Sequence, residues 1–166
     1  CSNGVDQARL VPSAPSKWNL GYSAASEKVM ARTFGTTRLK PGEFLWAKAK
    51  PPAGPTAVVV NLSDQMAYVY RAGQMVGAST ISSGMAGHET PPGMFPILEK
   101  RKTHRSNRYS NAPMPYMQRL TWTGVALHGG TIPGRPASHG CVRLPMKFAQ
   151  KLFDLTAVGS QVLIEQ

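Results

Sequence analysis

The chain has 166 residues, 42% hydrophobic and only 16% charged, with 16 Gly and 14 Pro; this suffices for one packed core and favours turns and short strands over long helices. Its net charge of +11 is shared between residues 1–50 (eight Lys/Arg, three acids) and 51–166 (eleven against five), so it needs a polyanionic neighbour such as nucleic acid, anionic lipid or a carboxylate-rich wall, not a single basic arm. No run of about 18 apolar residues provides a transmembrane helix, residues 1–15 hold no hydrophobic leader core, and two cysteines, Cys1 and Cys141, are too few for a disulfide framework.

Residues 1–15 are small, polar and proline-bearing and read as a tether. The opening Cys1-Ser2-Asn3-Gly4 resembles a processed bacterial lipoprotein, which implies a lipid anchor at Cys1 and a periplasmic or envelope location; the alternative is an arbitrary start. A helix is expected within 16–34, with Ser26 as N-cap and Val29, Met30 and Phe34 on its apolar face. Glu43–Ala47 reads as a strand, and Pro51-Pro52-Ala53-Gly54-Pro55 as a boundary. Residues 1–55 are therefore expected to form a tether and a partly helical extension, with Trp18, Phe44 and Trp46 either packing on the domain that follows, the favoured reading, or shaping a substrate groove.

From Thr56 the pattern becomes β. Ala57–Leu62, Met66–Tyr70 and Met75–Ile81 are three strands joined by the short turns Ser63-Asp64-Gln65 and Arg71-Ala72-Gly73-Gln74, an antiparallel meander. Met94–Leu98, Thr121–Leu127 and Val158–Ile164 are further strands, and a helix is expected over Pro145–Leu155. The sum is one mostly β domain over 56–166 with one or two helices and no internal repeat. Between its strands, Lys100–Tyr109 carries five Lys/Arg and the aromatic Tyr109. This reads either as a solvated loop or as a substrate-facing one; no stacking platform or nucleic-acid motif accompanies it.

The chemistry concentrates in 127–145. Cys141 is the candidate nucleophile, and a cysteine needs a base or a cation to become one. His139 is two residues away, so its ring points elsewhere unless the backbone bends sharply. His128 ends a strand thirteen positions upstream, where a Gly/Pro-rich loop can fold back, and is the better base. Ser138, His139, Gly140 and Cys141 can turn their backbone amides inward as oxyanion donors, and glycine at 140 permits that bend. Arg143 offers a fork to a substrate carboxylate. Zinc ligation by His88, His128, His139 and Cys141 is the competing reading, but no CxxC or HExxH spacing supports it and no metal or cofactor is expected.

His128-Gly129 followed by Ser138-His139-Gly140-Cys141-Val142-Arg143 resembles the signature of the L,D-transpeptidase (YkuD) family. Val60–Tyr70 is similar to its opening hairpin, Thr90-Pro91-Pro92-Gly93-Met94-Phe95 to its TPxGxF segment, and Val158–Ile164 to its closing strand. The resemblance covers about 56–166 and implies a β-sandwich or barrel-like domain that remodels peptidoglycan stem peptides through a cysteine acyl-enzyme. It implies Cys141 as nucleophile, His128 as base, the Gly129 carbonyl as its orienter, and His139 and Gly140 in the oxyanion loop. Ser138, Arg143, Tyr109 and Trp122 become candidate substrate contacts, and a carbapenem the expected inhibitor. Two departures stand out: the His128–Cys141 loop is short, and Arg143 stands where other members carry Asn. Its proline-rich part, Ile132–Pro136, is expected to act as a lid shaping the pocket. Alternatives are a hydrolase with the same acyl-enzyme, an L,D-carboxypeptidase or wall-protein releasing amidase, and a non-catalytic wall-binding module.

Overall fold

Val58, Val59 and Val60 are all buried in sequence because the sheet that holds them is covered on both faces. The computed structural model describes residues 19–105 and 112–166. Its elements are α1 (Tyr22–Phe34), β1 (Phe44–Trp46), β2 (Thr56–Asn61), β3 (Met66–Arg71), β4 (Gln74–Thr80), β5 (Gly93–Pro96), β6 (Glu99–Arg101), β7 (Met117–Arg119), β8 (Ala126–Gly129), β9 (Val142–Leu144), α2 (Met146–Leu155) and β10 (Gln161–Glu165). A six-stranded sheet runs β1-β4-β3-β2-β10-β5 and a four-stranded sheet β6-β7-β8-β9. Pairs β2–β10 and β8–β9 are parallel, the rest antiparallel. The described residues form a mostly β sandwich with two helices, in keeping with the mostly β domain and one or two helices expected from the sequence.

The two sheets close over one core: Val58, Val60, Val69, Val76 and Ile164 from the first meet Leu127, Val142 and Leu144 from the second, with Phe148 and Leu152 of α2. On the outer face of the larger sheet, Val59, Met66, Tyr68 and Met75 pack under Met30 of α1. The β3–β4 hairpin turns through Ala72 (φ 51) and Gly73 (φ 79), both left-handed, as a two-residue turn between right-twisting strands requires.

The extension is integrated with the sandwich. β1 adds an edge strand to β4, and Phe44 and Trp46 pack their rings 5.6 and 5.7 Å from that of Phe148. Ser26 does not cap α1, which begins four residues earlier; its buried hydroxyl bonds the Tyr70 hydroxyl at 2.7 Å instead. The N-terminus of α1 is capped from a distance by Glu165, 0% exposed, whose carboxylate accepts from the amides of Leu20 (2.6 Å) and Ser23 (2.7 Å). A partner 142 residues away leaves no local signal.

Two other readings change. Thr121–Gly124 is a turn, with Gly124 at φ 116, and the motif strand starts only at Ala126. The basic stretch opens as strand β6 rather than as a loop, and Lys100 is folded inward, donating to the carbonyls of Phe153 (2.6 Å) and Thr156 (2.7 Å) at the C-terminus of α2. That end of a helix is where a cation is most favourable. Trp18, Cys1 and Tyr109 lie outside the described residues.

Candidate active site

The four-stranded sheet arranges the site as a grid. Glu99 pairs with Arg119, Arg119 with Ala126, and the β8–β9 register (Leu127 with Val142) carried back one residue places Ala126 beside Cys141. The next row is Arg101, Met117, His128 and Arg143 by the same registers. Paired residues share a face and neighbours along a strand alternate. So Arg119, Ala126, Cys141, His128 and Arg143 look outward while Leu127 and Val142 enter the core. These outward residues line a cavity of about 600 Å³, together with His104, Met114, Trp122 and His139 among others.

His128 is 8% exposed, and its Nδ1 lies 2.8 Å from the Gly129 carbonyl. A carbonyl only accepts, so Nδ1 carries the proton and Nε2 keeps the lone pair. Burial pushes this imidazole below the ordinary histidine range, opposed by the Gly129 bond and aided by Arg143. A Cβ at Gly129 would meet Met146 Sδ at 2.7 Å, so a larger residue there would have to displace the half-exposed Met146 side chain.

Burial likewise pushes the Cys141 thiol up, while the Ala126 amide and then the Arg119 and Arg143 charges draw it down. Its S–H donates to the Gly124 carbonyl at 3.2 Å. The resting pair is therefore a neutral thiol and a neutral imidazole, the combination suited to general-base activation.

The loop before Cys141 is stapled from three sides. The amides of Ala137 and Ser138 both donate to the Ser83 carbonyl at 3.0 Å, and Met85 N–H donates to the Ser138 carbonyl at 2.9 Å. Thr90 Oγ1 accepts from Gly84 N–H and donates to the Gly140 carbonyl, each at 2.8 Å. Arg143 and Ser82 exchange backbone bonds of 2.9 and 3.0 Å, which ties β9 to the chain leaving β4.

Ser138 lines the cavity, but its hydroxyl is directed inward, donating to the Cys141 carbonyl and accepting from Gly140 N–H at 3.2 Å. Gly140 thus contributes its φ of 123 to the bend, its own amide being engaged. The His139 ring lines the cavity 5.1 Å from that of His88, edge to face. Arg143 Nη2 donates to the Ala137 carbonyl at 3.3 Å, and its guanidinium stays in the wall. Trp122, 72% exposed, stands at the rim with the Arg119 guanidinium 5.7 Å from its ring.

The expected lid behaves differently. Thr131 reaches the cavity wall, but 132–136 do not. Ser82 Oγ holds the Arg135 carbonyl at 2.8 Å, and Gly134 packs so closely on Pro41 that a Cβ would come within 2.9 Å of Pro41 Cγ. A loop this short is pulled taut over the extension rather than over the pocket. Sequence reasoning missed Arg119, His104, Gly124 and Thr90. Two of these carried a signal: Thr90 as the first residue of its TPPG segment, and His104 as part of the basic stretch 100–109 read as solvated or substrate-facing. Among the described residues no group of three His, Cys, Asp or Glu side chains is placed to hold a metal.

Residues 55–164 match the profile of the YkuD family, the L,D-transpeptidase catalytic domain. Among solved structures the chain is similar to an L,D-transpeptidase (Yku) from Stackebrandtia nassauensis, 31% identical with a TM-score of 0.63, covering 72% of this chain and 59% of that one. It is similar to an L,D-transpeptidase from Xylanimonas cellulosilytica at 27% identity and TM-score 0.59, covering 69% of this chain and 62% of that one. A third similar structure is the Ldtfm–avibactam carbamoyl enzyme, at 25% identity and TM-score 0.60, with 68% and 49% covered. The chain spans less than two thirds of the length of each. A comparison with curated proteins finds no match.

Proposed function

We propose that this chain, which belongs to the YkuD family of L,D-transpeptidase catalytic domains, joins peptidoglycan stem peptides through a thioester on Cys141. The observation that carries this reading is the placement of Cys141 and His128 on one face of neighbouring strands, in one cavity, with His128 Nδ1 bonded to Gly129 and Nε2 left basic.

In the proposed reaction, His128 Nε2 takes the Cys141 proton as the sulfur attacks the carbonyl at the L-centre of a diaminopimelate residue in the donor stem. The amides of His139 and Cys141 hold the oxyanion. The tetrahedral intermediate collapses, and the terminal D-amino acid leaves as an amine carrying the proton from His128. An amine of a second stem then attacks the thioester, passes its proton to His128, and the Cys141 thiol is released protonated. The basic surface suits stem peptides, which carry several carboxylates. The work is done in the cell envelope.

The test is mass spectrometry of the products formed from defined tetrapeptide stems. Cross-linked dimers from the wild type and none from Cys141→Ala are expected. Tripeptide without dimers would make the protein a hydrolase of the same chemistry, and unchanged dimers in the variant would overturn the thioester. A carbapenem is expected to leave an acyl adduct on Cys141, visible as a mass shift of the intact protein.

A further inference from the structure

The cavity wall contains Arg119, Arg143 and three histidines, and no Asp or Glu among the described residues. The two arginines stand in different directions from the thiol. Arg143 is two residues along β9, about 7 Å from Cys141 by strand rise; Arg119 is two strands across, about 10 Å away by strand spacing. Between Arg119 and Cys141 the row holds only Ala126, which packs with Met114 and Met117 beside the thiol, and all of these line the same cavity as the second guanidinium.

Arg119 is also held rigidly. Its Nε donates to Glu99 Oε1 at 2.9 Å, and the guanidinium lies 5.7 Å from the Trp122 ring. Glu99 divides its charge, since its other oxygen pairs with Arg101 at 3.1 Å. Two cations on one carboxylate leave a net positive charge, and the Glu99 bond takes Nε rather than the terminal nitrogens that grip a carboxylate in parallel. His104, beside it in the wall, is pushed below the ordinary histidine range by burial and then by Arg119, and adds no competing charge at neutral pH.

We infer that Arg119 is a specificity residue, reading a free carboxylate at the far end of the donor residue's long side chain across the width of the cavity, while Arg143 meets the carboxylate of the leaving residue. This rests on the transpeptidase reading and deepens it. The donor it selects is the free acid; a donor whose side-chain carboxyl is capped as a carboxamide loses the charge-assisted pair and is used poorly.

Two measurements test this, both in a Cys1→Ser background so that Cys141 is the one thiol. The first compares kcat/KM for a tetrapeptide donor with a free side-chain carboxyl and its carboxamide twin. A preference for the acid of about tenfold or more is expected, falling near unity in Arg119→Gln and partly restored in Arg119→Lys, which keeps the charge but not the fork. Equal use of both donors by the wild type, or an undiminished preference in Arg119→Gln, overturns the inference. The second compares alkylation of Cys141 by iodoacetate and iodoacetamide, which needs no turnover. Relative to a small free thiol, the anionic reagent should be favoured several-fold in the wild type and less so in Arg119→Gln, with the difference shrinking in high salt. A ratio equal to that of the free thiol also overturns it. If neither donor is consumed but the Arg119-dependent preference for iodoacetate persists, the transpeptidase reading falls and the anion-reading pocket stands.

Discussion

The Cys141 thiol donates to the Gly124 carbonyl at 3.2 Å, so in the resting molecule the nucleophile's proton is held by a backbone acceptor on the turn between β7 and β8. Activation requires that proton to be handed to His128, whose Nε2 is left basic by the Nδ1–Gly129 bond. In the proposed reaction the pair would then work by proton transfer between neutral groups, since burial disfavours a preformed thiolate–imidazolium pair.

This has a consequence for pH. Because burial raises Cys141, alkylation by iodoacetamide without substrate should climb with pH only above the range of an ordinary cysteine. Because burial lowers His128, its imidazole stays neutral and able to accept a proton below the ordinary histidine range. Donor kcat/KM should therefore hold level as pH falls through that range and drop only beneath it. An alkylation limb below neutrality, or an acidic limb of kcat/KM at the ordinary histidine value, would contradict this. Replacing His128 by Ala should lower kcat/KM by about 10²–10⁴-fold.

Thr90 links the segment after β4 to the catalytic loop through its hydroxyl, between Gly84 N–H and the Gly140 carbonyl. Thr90→Val preserves shape but leaves both buried groups without their partner, for an expected loss of about 1–3 kcal/mol in urea unfolding. Because Gly140 sets the bend before Cys141, acylation by a carbapenem should slow as well. Normal acylation with lowered stability would confine Thr90 to a scaffold role.

Glu165 supplies the N-terminal cap that α1 lacks locally. Glu165→Ala should cost about 2 kcal/mol or more and reduce helical signal in far-UV circular dichroism as the helix frays from its N-terminus. Glu165→Gln, which keeps one acceptor oxygen, should cost less. Equal losses for the two would show that packing, not capping, is what Glu165 contributes.

Lys100 is the corresponding device at α2, bonding the carbonyls of Phe153 and Thr156 with its ammonium 4.3 Å from the Phe153 ring centre. Lys100→Met retains the aliphatic stem and removes the donors, and should destabilise the protein by about 1–3 kcal/mol despite lowering a strongly positive net charge. A stabilised variant would mean that relief of charge repulsion outweighs the cap.

The strands of the meander, the second helix and the closing strand were legible because their signals are local: alternating or continuous apolar runs bounded by Gly, Pro and Asp turns. Cys141, His128 and the bend at Gly140 were legible for the same reason, lying within fourteen residues of one another. Arg119 was not, nor was the part Thr90 plays within its recognisable segment, because their positions in the site come from sheet register and from a staple across 50 residues. The same holds for Ser138, whose hydroxyl could equally face substrate or loop until the fold turned it toward the Cys141 carbonyl.

What the sequence by itself determined is the β character and the candidate reactive residues, since both follow from residue types at short spacing. What only the tertiary structure decided is the company those residues keep. Pairing of four strands put Glu99, Arg119, Ala126 and Cys141 in one row, and burial pushed the thiol and the imidazole toward their neutral forms. Register and burial are properties of the packed chain as a whole, set by contacts between segments that no local stretch of sequence contains.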